Sequence, residues 1–385
     1  MNTRLQAGRP RILCISLSPI IDDARVLRQI GVLAEFGDVT TIGFGPIPPG
    51  ATEHLEVPRT LKTLPQTVGG VLNLALRRLR ASELAAPAIR WGLEALRGRE
   101  FDLVVANEAR VLAFAHKVAG HAPVWADMHE WAPEERTHIL SWRLLVAPLI
   151  RRLCAVYLPK AAAVTAVCGS IADLYDEAFG VRTRIMRNAG PRRRLSPTPV
   201  APDAVRLVHS GTAVHGRQIE IMIDVMQRLD ARYTLGLYLM PGGDGGRYLQ
   251  TLRDRAAGDP RIVFHDPVPP ASLPDVLNAY DVGVFWIPPT HTNARYVLPN
   301  KFFDFVQARL AIAVGPSVEM ARLVDEYDLG VVSDGFTVDQ CLASISQLTP
   351  AAIEAAKQAS DAASAELSFE TDAAVARSIL AELLP

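Results

Sequence analysis

Asn300, Lys301 and Asp304 sit in the stretch VLPNKFFDFVQARLAIAVGPSVEM (Val297 to Met320), which reads as a short helix followed by an apolar strand. A lysine in the first turn of a helix opposes the positive end of the macrodipole, and an acid one turn further in adds nothing to offset it. That placement works against the helix and in favour of a bound anion. With Asn300 read as the N-cap, the first backbone N–H groups and the Lys301 ammonium would face a diphosphate. Asp304 would then accept hydrogen bonds from ribose hydroxyls, and Gly315 and Ser317 after the next strand would let a ligand approach the backbone closely. Diphosphate plus ribose spells a nucleotide-sugar.

Other polar residues follow apolar strands. ADMHEW places Asp127, His129 and Glu130 at one strand end, MRNAG places Asn188 at another, and HSGTAVHGRQIE supplies a Gly211 turn, Thr212, and Arg217 entering a helix. Competing chemistries lack their parts. The turn after the first strand, SLSPIIDD, has no G-x-G-x-x-G for a dinucleotide, and MPGGDGG lacks the lysine and hydroxyl of a P-loop. In HEWAPEERTH the next histidine, His138, is too distant to share a helical face as H-E-x-x-H requires, so no metal site is expected.

The elements that must position these residues alternate. RILCISLS is an apolar run of buried parallel-strand type, the following helix would bury Ala24, Leu27, Ile30 and Ala34, and DVTTIGFG is the next strand. The alternation recurs to residue 195, is interrupted by the Pro- and Arg-rich stretch PRRRLSPTPVAPDA, and restarts from residue 204 to about 365. The expected fold is α/β: two Rossmann-like doubly wound domains, 1–195 and 204–365, facing a cleft at the carboxyl ends of their strands. A last helix, about 368–385, with a stripe of Phe369, Val375, Ile379 and Leu383, would pack back on the first domain.

Composition sets further bounds. The first 195 residues hold 26 Lys and Arg against 18 Asp and Glu, the remainder 14 against 23. Such asymmetry fits a first half facing a membrane surface or a phosphorylated substrate, or equally a set of solvated Arg-rich helix faces. The four cysteines form no C-x-x-C pair and read as reduced core residues of a cytoplasmic protein. No signal-peptide pattern and no apolar run of the roughly 20 residues needed to span a bilayer are present.

Over nearly its whole length the chain resembles the GT-B glycosyltransferases, and within them retaining family 4. The likeness rests on SLPDVLNAYDVGVFWIP, LPNKFFDFVQARLAIAVGPSVEM, DDARVLRQIGVLAEFG, DMHEWAPEE and HSGTAVHGRQIE. It implies that Arg217 and Lys301 hold the donor diphosphate, that Asp304 binds the ribose, that His129 stands by the donor sugar and reacting centre, and that Ser18 lies beside the phosphates in the first loop. Two positions depart from the family pattern. Tyr296 stands where the first of two glutamates is common, and Thr212 replaces a frequent arginine. The resemblance implies retaining transfer to a hydroxyl acceptor in cell-envelope polysaccharide, glycolipid or other glycoconjugate synthesis, with no cofactor or metal and no nucleic-acid partner. The first loop lacks the base histidine of inverting relatives on the same fold. A nucleotide-sugar-binding scaffold and a nucleotide-sugar epimerase are the alternatives.

The acceptor would be a saccharide or a lipid-linked species at the inner face of the membrane. Segments 72–100 and 141–160 mix arginine clusters with Leu, Trp and Tyr. They suit either peripheral contact with an anionic membrane or ordinary amphipathic core helices.

Overall fold

Buried parallel strands need apolar side chains on both faces, and continuous runs such as Ile12–Ile15 supply them, each fully buried. The computed structural model describes residues 8–384. It divides into two compact units, one running to Arg187 and resuming at Asp372, the other spanning Asn188–Thr371.

The first unit has seven strands: β1 (Arg11–Pro19), β2 (Asp38–Phe44), β3 (Glu53–Glu56), β4 (Leu103–Asn107), β5 (Val124–Met128), β6 (Ala163–Ala166) and β7 (Thr183–Ile185). Their order is β3-β2-β1-β4-β5-β6-β7, all parallel, with Ile12 beside Val39 on one side and Leu103 on the other. The second unit has six: β8 (Val205–Ala213), β9 (Tyr233–Pro241), β10 (Ile262–His265), β11 (Val282–Phe285), β12 (Ala311–Val314) and β13 (Gly330–Val332), in the order β10-β9-β8-β11-β12-β13. Each is therefore a doubly wound α/β unit. Strand order reverses between β1 and β4 in one sheet and between β8 and β11 in the other. Each reversal opens a crevice at the carboxyl ends of its own sheet's strands, where such sheets take ligands.

Several sequence expectations change. Strands β3 and β13 escape the pattern because each lies at a sheet edge, where half-exposed residues carry no apolar run, and the strand expected before Asn188 is the short edge strand β7, which stops at Ile185. The helix Ala24–Phe36, capped by the Asp23 carboxylate on the Val26 N–H, buries Arg25, Val26, Gln29, Ile30 and Leu33; of the expected face only Ile30 belongs to it. The face is turned by two buried polar residues that an apolar pattern cannot see. The last helix, Phe369–Leu383, buries Asp372, Ala373, Ala376, Ile379 and Leu380; of the expected Phe369–Val375–Ile379–Leu383 stripe only Ile379 is buried. From Asp372 onward it holds the first unit through Arg377, whose Nε and Nη2 donate to Glu35 at 2.8 and 2.9 Å, and through Glu382, which pairs with Arg184. The Pro- and Arg-rich stretch has no regular structure over residues 191–200, yet it is pinned to the second unit. The Arg193 N–H donates to Gln307 at 2.9 Å and Val200 joins that unit's core. All four cysteines are free and buried.

Arg25 carries the most consequential of these contacts. Its Nε and Nη2 donate to the two Asp127 oxygens at 2.9 and 2.6 Å, and its Nη1 donates to the carbonyls of Met186 and Arg187 at 2.7 and 3.0 Å. Both members of the pair are buried, Asp127 completely.

Arg25→Met would leave that carboxylate uncompensated, and urea denaturation at pH 7 is expected to show a loss of about 3–5 kcal/mol. Arg25 holds Asp127 well below the usual carboxylate range against the opposing effect of burial. The pair's stabilisation is thus present above the ordinary carboxylate range and disappears as pH falls through the depressed value. The variant should begin to lose its remaining stability at a higher pH than the parent. A loss under about 1 kcal/mol would show that the pair is not the anchor.

Candidate functional site

At the β1/β4 reversal of the first unit, three strand ends contribute polar groups. Sequence reasoning placed Asp127 just past its strand, but it lies inside β5, and His129 follows the strand's last residue. The Asp127 oxygens also accept from Thr165 Oγ1 at 2.6 Å and Gln29 Nε2 at 3.2 Å. His129 is bracketed: its Nε2 is 3.3 Å from Asp127 Oδ2 and from Asn107 Oδ1, and its Nδ1 is 3.2 Å from Glu108 Oε1. The Asn107 amide is turned with its oxygen toward the histidine because its Nδ2 donates to Gln29 Oε1 at 3.0 Å and to Cys14 Sγ at 3.4 Å. With Glu108 ionised, both ring nitrogens meet acceptors, an arrangement that the doubly protonated imidazolium satisfies. Burial opposes that charge, but Glu108 and Asp127 outweigh it, and His129 titrates above its ordinary value. Glu108 is held at φ 79°, a left-handed conformation that a non-glycine residue adopts only when its surroundings compel it. Asp127, Arg25, His129 and Glu108 together balance two positive against two negative charges.

Ser18 lies within the last residues of β1 rather than in a loop. Its hydroxyl is 2.8 Å from Ser16 Oγ and donates to Asp23 Oδ2 at 3.5 Å. Glu130 is exposed at the strand exit, its carbonyl accepting from Tyr175 Oη at 2.7 Å.

The second unit's reversal gathers a different set. Gly211 and Thr212 are not in a turn; β8 continues through both to Ala213, with Gly211 at φ 147°. A Cβ at Gly211 would lie 2.7 Å from Lys301 Nζ and 3.6 Å from Arg217 Nη1, so only glycine lets the two cations converge there. Arg217 sits in a 3₁₀ turn, His215–Arg217, before the helix Glu220–Arg228 begins, and its Nη1 donates to the Thr212 carbonyl at 3.1 Å. Lys301 Nζ stands 5.7 Å from the centre of the Phe285 ring.

Asn300 is the first residue of the helix Asn300–Gln307, not its cap. Pro299 occupies the cap position, and no side chain caps the helix. A proline cap leaves the first-turn N–H groups without a side-chain acceptor, which keeps the anion argument and removes Asn300 from it. Asp304 lies one turn on. A Cβ at Gly190, two residues after Asn188, would be 3.9 Å from its Oδ1, which brings the 188–190 segment against Asp304. Tyr296 ends the short helix Thr292–Arg295, with the Arg295 guanidinium 5.6 Å from its ring centre. Gly315 has a packing reason to be glycine, since a Cβ there would strike the Phe336 ring at 2.1 Å.

Electrostatics separate this cluster from the first. Burial disfavours the Arg217 charge, and burial together with Arg217 pushes the Lys301 ammonium down to about 8, against a weaker pull from Asp304. His209, buried on β8, donates from Nδ1 to the Val284 carbonyl at 2.8 Å, and burial and the two cations bring it down to about 3. It is a neutral imidazole. The hydroxyls of Ser210 and Ser317 and the Trp286 Nε1 are buried without hydrogen-bond partners among the described residues. Sequence reasoning missed Arg25, Asn107, Glu108, His209, Ser210 and Trp286 as site residues. The strand-end position of Asn107 and Trp286 was the available signal.

Two measurements test this geometry. In ¹⁵N-detected NMR, His129 should titrate above the ordinary imidazole value, and Glu108→Gln should lower its titration. The stabilisation tied to the charged ring is fully present below the ordinary value of 6.5 and is lost as pH rises through the raised one. A singly protonated ring at pH 6 would overturn the bracketed assignment. For Lys301 the sign reverses: the fold penalises its charge increasingly as pH falls from 10.5 to about 8. Lys301→Met should raise the ligand-free Tm at pH 7, with the gain shrinking toward pH 10. An unchanged or lower Tm at pH 7 would mean the ammonium is already compensated.

No known family profile matches the chain, and no curated protein matches it in sequence. Solved structures match in fold. Sucrose-phosphate synthase from Thermosynechococcus elongatus superposes over 97% of this chain and 99% of its own, at 13% identity and a TM-score of 0.71. HepE from Anabaena, in complex with UDP-glucose, matches over 97% of this chain and 100% of its own, at 15% identity and a TM-score of 0.67. A trehalose-6-phosphate synthase, described in connection with glycosyl transfer with retention, matches over 97% and 100%, at 12% identity and a TM-score of 0.65. At such identities the likeness carries the fold alone, and that fold, two doubly wound parallel-sheet units in succession, is the GT-B fold.

Proposed function

We propose that the chain is a retaining glycosyltransferase, of the family 4 kind, that moves a sugar from a nucleoside-diphosphate donor to a hydroxyl acceptor. The observation that carries this reading is the convergence of Lys301 and Arg217 over Gly211, two partly buried cations drawn together where neither is offset by an adjacent carboxylate strong enough to restore its ordinary pKa. Such a pair suits a dianionic leaving group whose charge grows as the glycosidic bond breaks. The molecules named in complex with the matching structures, UDP and UDP-glucose, carry a diphosphate of that kind.

In this reading Lys301, Arg217 and the first-turn N–H groups of the helix Asn300–Gln307 hold the diphosphate. Asp304, with the Asn188 segment against it, takes the ribose. Gly211 and Thr212 admit the phosphates. As the anomeric carbon–oxygen bond breaks, its electron pair passes to the diphosphate oxygen. The acceptor oxygen attacks the same face and its proton passes to that phosphate. No metal is required because the two cations meet the developing charge. The acceptor is a saccharide or lipid-linked species on the cytoplasmic side, in polysaccharide, glycolipid or other glycoconjugate synthesis.

Tyr296 and Thr212 motivate a second reading, a nucleotide-sugar-binding scaffold, since the position facing the sugar hydroxyls has lost a carboxylate and the diphosphate a cation. The purified chain, without added metal, should slowly hydrolyse one of a panel of UDP-, GDP-, ADP- and TDP-sugars, and Lys301→Ala should reduce that rate at least 100-fold. Thermal stabilisation by a donor without turnover would favour the scaffold. Neither stabilisation nor turnover by any donor would overturn both.

A further inference from the structure

The two arginine-rich regions that sequence left open between core and surface each contribute to both in the structure. The helix Ala147–Tyr157 is core, burying Leu149, Ile150, Leu153 and Cys154. The helix Val68–Ala75 is not. Val68 is 91% exposed, Leu72 57% and Leu76, just past its end, 54%. Ile139, Leu140 and Leu144 are likewise exposed. These two segments meet: the helix Val68–Ala75 packs on the π-helical turn Trp142–Val146, and Arg77 Nη1 donates to the Leu144 carbonyl at 2.6 Å. With Val71 they gather half of the large apolar side chains that stand exposed among the described residues onto one face of the first unit.

The charges around that face have one sign. Neither 65–82 nor 136–152 contains an Asp or Glu. Nearby carboxylates are taken up elsewhere, Glu83 by Arg152 at 2.6 Å and Glu135 by Arg110 and Arg136 at 3.3 Å. Arg77, Arg78, Arg80 and Arg143 are exposed, and among the described residues no salt bridge reaches them. A second copy of the chain is a poor occupant, because a two-fold contact through this face would set its arginines against themselves. An apolar patch rimmed by unpaired arginines is complementary to a surface with an anionic outer layer above an apolar interior.

We propose that the face formed by Val68–Leu76 and Ile139–Leu144 docks on an anionic lipid bilayer. No helix among the described residues is long and apolar enough to cross one, so the contact is peripheral. Leu72, Leu76, Leu140 and Leu144 enter the headgroup boundary, and Arg78, Arg80 and Arg143 lie against lipid phosphates. The inference does not depend on the transfer chemistry proposed above.

Co-sedimentation of the full chain with vesicles tests it. Phosphatidylcholine vesicles containing one-quarter phosphatidylglycerol should bind the chain at least 10-fold more tightly than phosphatidylcholine alone, and raising the salt from 50 to 300 mM should weaken binding at least 5-fold. Leu72→Glu/Leu140→Glu, both at exposed positions, should abolish binding while melting as the parent does. Arg78→Ser/Arg80→Ser/Arg143→Ser should remove the preference for anionic vesicles, whereas Arg247→Ser, in the other unit, should change neither. Binding equal on both vesicle types, or no binding to anionic vesicles at low salt, would overturn the proposal. So would concentration-dependent dimerisation that Leu72→Glu/Leu140→Glu abolishes in a chain that ignores vesicles. Donor hydrolysis by the leucine variant in the absence of lipid is expected to be unchanged, which separates failure of the docking face from failure of the catalytic reading.

Discussion

The bidentate pair between Arg25 and Asp127 is the contact on which the first unit's architecture and its polar cluster both rest. A buried ion pair is tolerable only when nearly every lone pair and proton is used. Here Asp127 accepts from Arg25 twice and from Thr165, Gln29 and His129, while Arg25 spends its remaining nitrogen on the Met186 and Arg187 carbonyls. One guanidinium thereby ties the first helix to the interior strand β5 and to the point where the chain leaves the unit. The Arg187 N–H completes the join by donating to Asp372 at 2.8 Å, where the chain returns. His129 inherits its orientation and charge from the same carboxylate. The second unit uses a similar device away from its candidate site: Asp281, fully buried on the approach to β11, accepts from Arg206 and from Lys357.

The two clusters nevertheless differ in kind. In the first unit charges are matched and the groups hold one another. In the second, Lys301 and Arg217 are brought together across a position kept empty of side chain, and both are driven toward losing charge. A protein selected for stability alone would place a carboxylate there or move one cation away. That it does neither, while also leaving Ser210 and Ser317 hydroxyls buried without partners, is what the proposed donor site requires of a place where folding free energy is given up for binding.

What could be read from the sequence follows from which signals are local. Continuous apolar runs announced the central strands, and the anti-dipole lysine of Lys301–Asp304 announced the second cluster, because both depend on neighbours in the chain. The edge strands β3 and β13 are short and half-exposed and gave no such run. The face of the helix Ala24–Phe36 was misjudged because its inward residues include Arg25 and Gln29, which are apolar in neither type nor period and are buried only because Asp127 waits 102 positions away in sequence. Asn300 looked like a cap from its type, but the backbone places Pro299 there. Gly211 looked like a turn, yet its reason for being glycine is the approach of two side chains, one of them 90 positions away. Glu108 has no sequence signal at all, since its left-handed backbone is imposed by the strand exit around it.

The excess positive charge of the first 195 residues can now be apportioned. Sequence alone left it balanced between an anionic ligand and an anionic surface. The polar cluster at the β1/β4 reversal is neutral once His129 is protonated, so it does not hold the surplus. Other arginines are matched on the surface: Arg11 with Glu100 and Asp102, Arg97 with Glu94, Arg99 with Glu53, and Arg184 with Glu382. Part of what remains lies in the two acid-free segments that carry the exposed leucines. A solvated helix face would intersperse acids among its arginines, as the helix Arg247–Ala256 does with Asp254 between Arg253 and Arg255. Their absence over two segments distant in sequence and joined in space is a property of the surface, not of either helix.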